Sequence, residues 1–187
     1  MKYWLLFFAA VGIWLRLSHP LEVEFKGDER FMLEQSVSIG RTAPWPAAGM
    51  ASGVGLRNPP LSIWSFVVLS RTFGLESPQS LSLGVAAWDA LGLLALSIWV
   101  YRKRPTSLMW TLGLCLAWVS PQALLLERKI WAQSLLPGLM AWLWMIWPNR
   151  QRPAAAFALG LGVGLAGQIH MSGFFLAAAI GLRHLIL

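Results

Sequence analysis

Charge is what this sequence has least of. Only 12% of its residues are Asp, Glu, Lys or Arg, where a soluble globular chain carries about a quarter. Cysteine is nearly missing: the single Cys115 sits inside an apolar run, which excludes an internal disulfide and a cysteine-based metal cluster. A glycine-rich phosphate loop is absent as well, so the sequence offers no cradle for a nucleotide. The net charge of +7 is gathered in short loops and not laid out as a basic stripe, a pattern of membrane topology and not of nucleic-acid binding.

What fills the space is apolar sequence, 57% of the chain, with twelve Trp. Trp4, Trp88, Trp99, Trp131 and Trp147 stand near the ends of apolar runs, where an amphipathic ring suits a lipid headgroup region. The expected fold class is therefore all-α, a polytopic membrane helical bundle. Spans are expected at about 3–18, 81–101, 107–120, 130–147, 153–169 and 173–187. The first resembles a signal peptide in its basic start, but Arg16-Leu17-Ser18-His19-Pro20 supplies no small-residue cleavage site, which favours a retained helix. That helix is short for a crossing, and Arg16 is expected to snorkel to the far interface. The sixth segment ends unfinished, so the chain reads as the N-terminal part of a longer protein, with the missing C-terminal region as a partner.

Basic residues in short loops set the sides. Lys2, Arg102 to Arg104, and Arg150 with Arg152 are assigned to the cytoplasmic face. Residues 19–80 then form one external loop. Within it, Leu61 to Phe73 is too short to cross easily and carries Ser62, Ser65, Ser70 and Arg71. It reads as an interfacial helix of about 60–73, opened by Pro59 and Pro60. A second interfacial helix is expected at about 28–40. Three external segments thereby bring polar groups to one side: the first loop, the turn from Ser120 to Lys129, and the stretch Gln168 to Ser172.

The densest polar cluster is Glu22 to Arg30. Gly27 frees the backbone, and Asp28 is read as the cap of a helix from Glu29 to about Ile39, with Phe31 or Met32 toward lipid. Two roles compete for Asp28: a plain cap with Glu29 favoured by the helix dipole, or a general base beside the membrane. Arg128 and Lys129 invite either an interfacial-anchor reading or an anionic phosphate ligand, which explains cations on the external side. His170, alone beside Gln168 and Ser172, suits a hydrogen bond to a headgroup or substrate better than a metal. Asp89, a carboxylate inside an apolar run, is expected to pair with another helix or to serve function.

Gly27-Asp28-Glu29, Asn58-Pro59-Pro60-Leu61, Ser120-Pro121 and Glu127-Arg128 occur in an order that resembles the N-terminal half of a GT-C fold membrane glycosyltransferase. The nearest likeness is to the bacterial relatives of protein O-mannosyltransferases and aminoarabinose transferases. Asn58 stands where that family's element has His. The resemblance implies transfer of a sugar from a polyprenyl-phosphate donor to a protein, lipid or glycan acceptor, on the external face of the bacterial cytoplasmic membrane. It implies Asp28 as catalytic base with Glu29 in support. Arg128, joined by Lys129 and Arg71, would hold the donor phosphate, and Glu127, His170 and Asn58 would contact substrate. No nucleotide cofactor is expected, no residue is assigned to a metal, and metal dependence stays open.

Two other classes fit the same composition. A transporter or lipid flippase would use Asp89 as a coupling group inside the membrane. A noncatalytic membrane scaffold would tolerate Asp28→Asn and Arg128→Gln.

Overall fold

The computed structural model describes residues 2–18, 22–51 and 55–186. Residues 19–21 and 52–54 of the expected external loop, and Leu187 at the end of the sixth expected span, lie outside the described residues. The described chain is all-helical: α1 (Lys2–Leu17), α2 (Gly27–Ser38), α3 (Leu61–Phe73), α4 (Pro78–Lys103), α5 (Leu108–Val119), α6 (Pro121–Leu126), α7 (Leu136–Ile146), α8 (Pro153–Ile169) and α9 (Gly173–Ile186). Extended pairing among these residues is limited to two isolated bridges, Ile39 with Ala43 and Ala51 with Arg57. Among them α4 alone is long and apolar enough to cross a membrane, by length and composition; the other apolar helices are 10–17 residues long.

Local chemistry sets most boundaries. Ser77 accepts the Ser80 N–H at 3.1 Å and Pro78 follows at the first helical position, which starts α4 where a missing N–H costs nothing. Ser107 caps α5. Ser120-Pro121, read from sequence as the close of a span, both ends α5 and starts α6, with the Ser120 hydroxyl accepting the Ala123 N–H. Residues 130–147 are not one helix: Trp131 is extended, a 3-10 turn covers Ala132–Leu135, and α7 follows with Pro137 in its first turn.

At 26 residues, α4 extends about 39 Å and carries both cores. Its C-terminal part places Ala90, Leu96 and Val100 against Leu5 and Ala9 of α1, Leu114, Cys115 and Trp118 of α5, and Ala141 of α7. Its N-terminal part places Leu81 and Val85 among Met32, Ile39, Ile63, Phe66, Val67, Ile130 and Leu135. The second core fastens α2 and α3 to the bundle; of the residues expected toward lipid, Met32 and Ile39 are buried in it and Phe31 is half-buried against it.

Two close approaches need glycine. A Cβ on Gly12 would lie 2.5 Å from the Trp118 carbonyl oxygen, and one on Gly92 would lie 2.8 Å from the Gly138 Cα. The first lets α1 meet the end of α5. The second brings the backbone of α4 onto α7, so that the Asp89 Oδ1 accepts the Gly138 N–H at 2.7 Å and the Trp88 indole donates to the Leu135 carbonyl at 3.0 Å. Asp89 does pair with another helix: it satisfies one of the N–H groups that the start of α7 leaves open.

Candidate functional site

The start of α2 differs from the expected cap. Lys26 occupies the cap position and Gly27 is the first helical residue, so Asp28 lies in the first turn, where the helix dipole favours a carboxylate. Glu29 makes the local contact instead: its Oε2 accepts the Lys26 N–H at 3.1 Å, the reach-back half of a capping box. The division follows from position, since only the third helical residue can fold back onto the cap. Glu29 is buried while Asp28 remains exposed.

Asp28 borders a cavity of about 80 Å³ with Met32, Met50, Asn58, Ser62, Trp131, Ala132 and Gln133. Asn58 is held there by a short stretch of paired backbone: Gly49 donates to the Asn58 carbonyl at 2.7 Å, Asn58 donates to the Met50 carbonyl at 3.0 Å, and its side-chain NH₂ donates to that same carbonyl at 3.3 Å. This leaves the Asn58 Oδ1 buried without a hydrogen-bond partner, and the Trp131 Nε1 is in the same condition. An acceptor and a donor are therefore unmet on residues that line one cavity beside an exposed carboxylate. Buried polar groups in folded proteins are nearly always paired, so the pair marks a place prepared for polar matter.

Trp131 and Gln133 also line a second cavity, of about 700 Å³, whose wall includes Asp89, Glu127, Leu93, Leu96, Met140 and Trp144. The extended Trp131 and the 3-10 turn after it thus form the partition between a small polar space and a large apolar one.

The structure deals differently with each sequence-level candidate. Asp28 and Asn58 come together. Lys129 lines neither cavity, but its ammonium lies 4.0 Å from the ring centroid of Trp131, which borders both. It is also paired with Glu24, which pairs with Lys26 too. Held by Lys129 first and Lys26 second, the Glu24 carboxyl is pulled down to about 2. Arg128 donates through Nε and Nη2 to the Arg16 carbonyl, both at 3.4 Å, while its own carbonyl accepts the Ser82 hydroxyl.

Arg71 is elsewhere. It donates to the Ile39 carbonyl and lies over the Trp45 ring at 5.7 Å, bracing the loop after α2, and it lines neither cavity. His170 lines neither as well. Its Nδ1 lies 2.8 Å from the Ser172 hydroxyl and accepts the Ser172 N–H at 3.2 Å, and partial burial lowers its pKa. Both residues therefore serve local turns.

Glu127 borders the large cavity, but its Oε2 accepts from the Arg16 Nε at 2.6 Å. Burial pushes the Glu127 carboxyl up, and the Arg16 hydrogen bond and charge work against that shift. Arg16 does not snorkel: it is 1% exposed and donates to the carbonyls of Gly12 at 3.1 Å, Trp118 at 2.7 Å and Ala117 at 3.3 Å. The reason is geometric. The last carbonyls of α5 lack intrahelical donors, and a guanidinium fork satisfies them while holding a carboxylate.

Sequence reasoning missed Trp131 and Gln133 as wall residues. Trp131 stood out only as an aromatic at the end of an apolar run, and its place opposite Asn58 depends on packing between distant segments. Among the described residues no group of three or more His, Cys, Asp or Glu is placed to hold a metal ion. No family model, curated protein or solved structure matches the chain.

Proposed function

We propose that the chain is part of a polytopic membrane glycosyltransferase that takes a sugar from a polyprenyl-phosphate donor, with the Asp28 cavity as its reaction site. The observation that carries this reading is the set of polar groups around that cavity: the Asp28 carboxylate, the unmet Asn58 Oδ1 and the unmet Trp131 N–H. A sugar ring offers hydroxyls that donate and accept at once, and the residues of this wall carry one unmet acceptor and one unmet donor. The order of sequence elements that resembles the GT-C family adds to the reading.

The chemistry needs few parts. The Asp28 carboxylate takes the proton of an acceptor hydroxyl or amine as that atom bonds to the anomeric carbon. The bond from the anomeric carbon to the phosphate oxygen breaks, and the electron pair leaves with the polyprenyl phosphate. Lys129, over the Trp131 ring, is the cation assigned to that developing charge, and its pairing with Glu24 fixes its position. Arg128 is assigned to the fold of this turn and to the donor phosphate only secondarily.

A lipid setting is supported by what the helices show outside. Met109 of α5 is 84% exposed and Phe175 of α9 77% exposed, and Tyr3, Trp4, Leu6 and Phe7 of α1 are exposed as a group. Apolar surface on this scale marks contact with lipid or protein. In this reading α4 crosses the bilayer fully, and the shorter helices complete their crossings with flanking turns, as α7 does with 3-10 turns on either side. The bacterial cytoplasmic membrane, with the Asp28 cavity on its external face, is the proposed location.

The test incubates membranes containing the protein with radiolabelled polyprenyl-phosphate sugars, comparing wild type with Asp28→Asn. The expected result is transfer to an endogenous acceptor by the wild type and a loss of at least 100-fold in the variant, with unchanged amounts of folded protein. Equal transfer by both overturns the assignment.

A further inference from the structure

The large cavity is not needed for the sugar-transfer proposal, and its polar equipment differs from that of the small one. Its wall is mostly apolar, with Leu93 and Leu96 from α4 and Met140 and Trp144 from α7, and two carboxylates interrupt it, Asp89 and Glu127. Glu127 is answered by Arg16. Asp89 is not answered: it is 3% exposed, its Oδ1 accepts one N–H from Gly138, and its Oδ2 is buried with no partner.

A role confined to closing the start of α7 explains Oδ1 and leaves Oδ2 unexplained, since a neutral hydrogen-bonding side chain serves that N–H without a second buried oxygen. A carboxylate left half-satisfied in an apolar space is costly. One ligand group removes the cost: a protonated primary amine donates to Oδ2 and supplies the missing positive charge in one charge-assisted contact. The rest of the wall selects an apolar body, and about 700 Å³ falls within the roughly 300–1,000 Å³ usual for ligand pockets.

We infer that the cavity between α4, α5 and α7 binds an amphiphile with one primary ammonium group, seated on Asp89 with its chain along Leu93, Leu96, Met140 and Trp144. The inference does not rest on sugar transfer and holds whether or not Asp28 is a catalytic base.

The test measures retention of tritiated dodecylamine by the purified protein in nanodiscs, over the retention of empty nanodiscs, with dodecanol and dodecyl sulfate as probes of the same length. Saturable binding of about one amine per chain is expected, with the alcohol and the sulfate at least tenfold weaker. Asp89→Asn should weaken the amine at least tenfold and leave the alcohol unchanged. Met140→Trp, which narrows the seat of the chain and keeps the Asp89–Gly138 bond, should weaken the amine too, and it decides the matter if Asp89→Asn fails to fold. Retention no greater than that of empty discs, equal binding of dodecanol, or unaltered amine binding in a folded variant overturns the inference. The assay contains no sugar donor, so failure here and failure of the transferase reading are separate results.

Discussion

Arg16 and Glu127, 111 positions apart, form a buried ion pair at 2.6 Å, and the same guanidinium donates to the carbonyls of Ala117 and Trp118 at the end of α5. One side chain therefore joins α1 to both the end of α5 and the turn after α6. Removing it leaves a buried carboxylate and two carbonyls without donors. Arg16→Met is expected to destabilise the protein by about 3–5 kcal/mol, the range for breaking one side of a buried pair. Arg16→Lys should recover only part of this, because an ammonium lacks the planar fork. Replacing both partners, as Arg16→Met with Glu127→Leu, should cost less than Arg16→Met alone. Denaturation in mixed micelles measures all three, and a double replacement worse than the single one contradicts this account.

Glu24 gives a pH signature on the surface. Its carboxyl is lowered from the ordinary value of 4.5 to about 2 by Lys129 and Lys26, so its folded pKa lies below its unfolded one. The stabilising contribution is complete above about 4.5 and is lost as pH falls from there through about 2. Lys129 also lies over Trp131, so protonating Glu24 frees the cation to move relative to the ring. A change in Trp131 fluorescence with a midpoint near 2 is expected in the wild type and should be absent in Glu24→Gln. The same midpoint in both proteins rules out Glu24 as the titrating group.

How far the fold could be read beforehand depended on whether the signal was local. Pro59-Pro60 before α3 and the basic residues closing α4 act within a turn of where they stand, and those helices begin and end beside them; the start of α4 at Ser77-Pro78 lies ahead of the expected 81. The place of Arg16 depends on the α5 carbonyls and on Glu127, which no local pattern contains. Asp28 suits a cap by its type, whereas Glu29, one residue later, has the spacing to reach back to Lys26. For the site, the carboxylate and Asn58 were visible as residues, but the wall opposite them was not. Trp131 reaches it because the chain turns at Glu127 and Arg128 and is extended at Trp131 before the 3-10 turn, an interruption hidden inside an apolar run that reads as continuous.

The crossing of α4 and α7 predicts opposite outcomes for two glycines. A Cβ at position 92 would lie 2.8 Å from the Gly138 Cα and 2.9 Å from its carbonyl oxygen. Backbone cannot swing aside as a side-chain end can, so Gly92→Ala should force the helices apart and cost about 1–3 kcal/mol. Gly113 in α5 has nothing within 4 Å of such a Cβ. There alanine only reduces backbone freedom in a helix interior, and Gly113→Ala should stabilise by roughly 0.5–1 kcal/mol. Midpoints of thermal unfolding in one detergent check both signs, and a Gly92→Ala variant as stable as the wild type would show that the two backbones are not in contact.

Trp131 offers the sharpest separation between building the site and using it. Its ring serves structure, since Lys129 lies 4.0 Å from its centroid; its Nε1–H is buried with no hydrogen-bond partner among the described residues. Trp131→Phe keeps an aromatic face for Lys129, deletes that donor and trims the indole to a single ring. If the N–H binds a hydroxyl of the transferred sugar, the variant should show a KM for the sugar donor raised about 2- to 12-fold, the equivalent of one hydrogen bond of roughly 0.5–1.5 kcal/mol. Its kcat should stay near that of the wild type, because ground-state and transition-state binding lose the same contact. Stability should fall modestly, because the gap left by the smaller ring outweighs the removal of an unmet buried donor. A variant with unchanged KM assigns the N–H no part in donor binding, whereas a loss confined to kcat moves the contact from the sugar's resting position to the transition state.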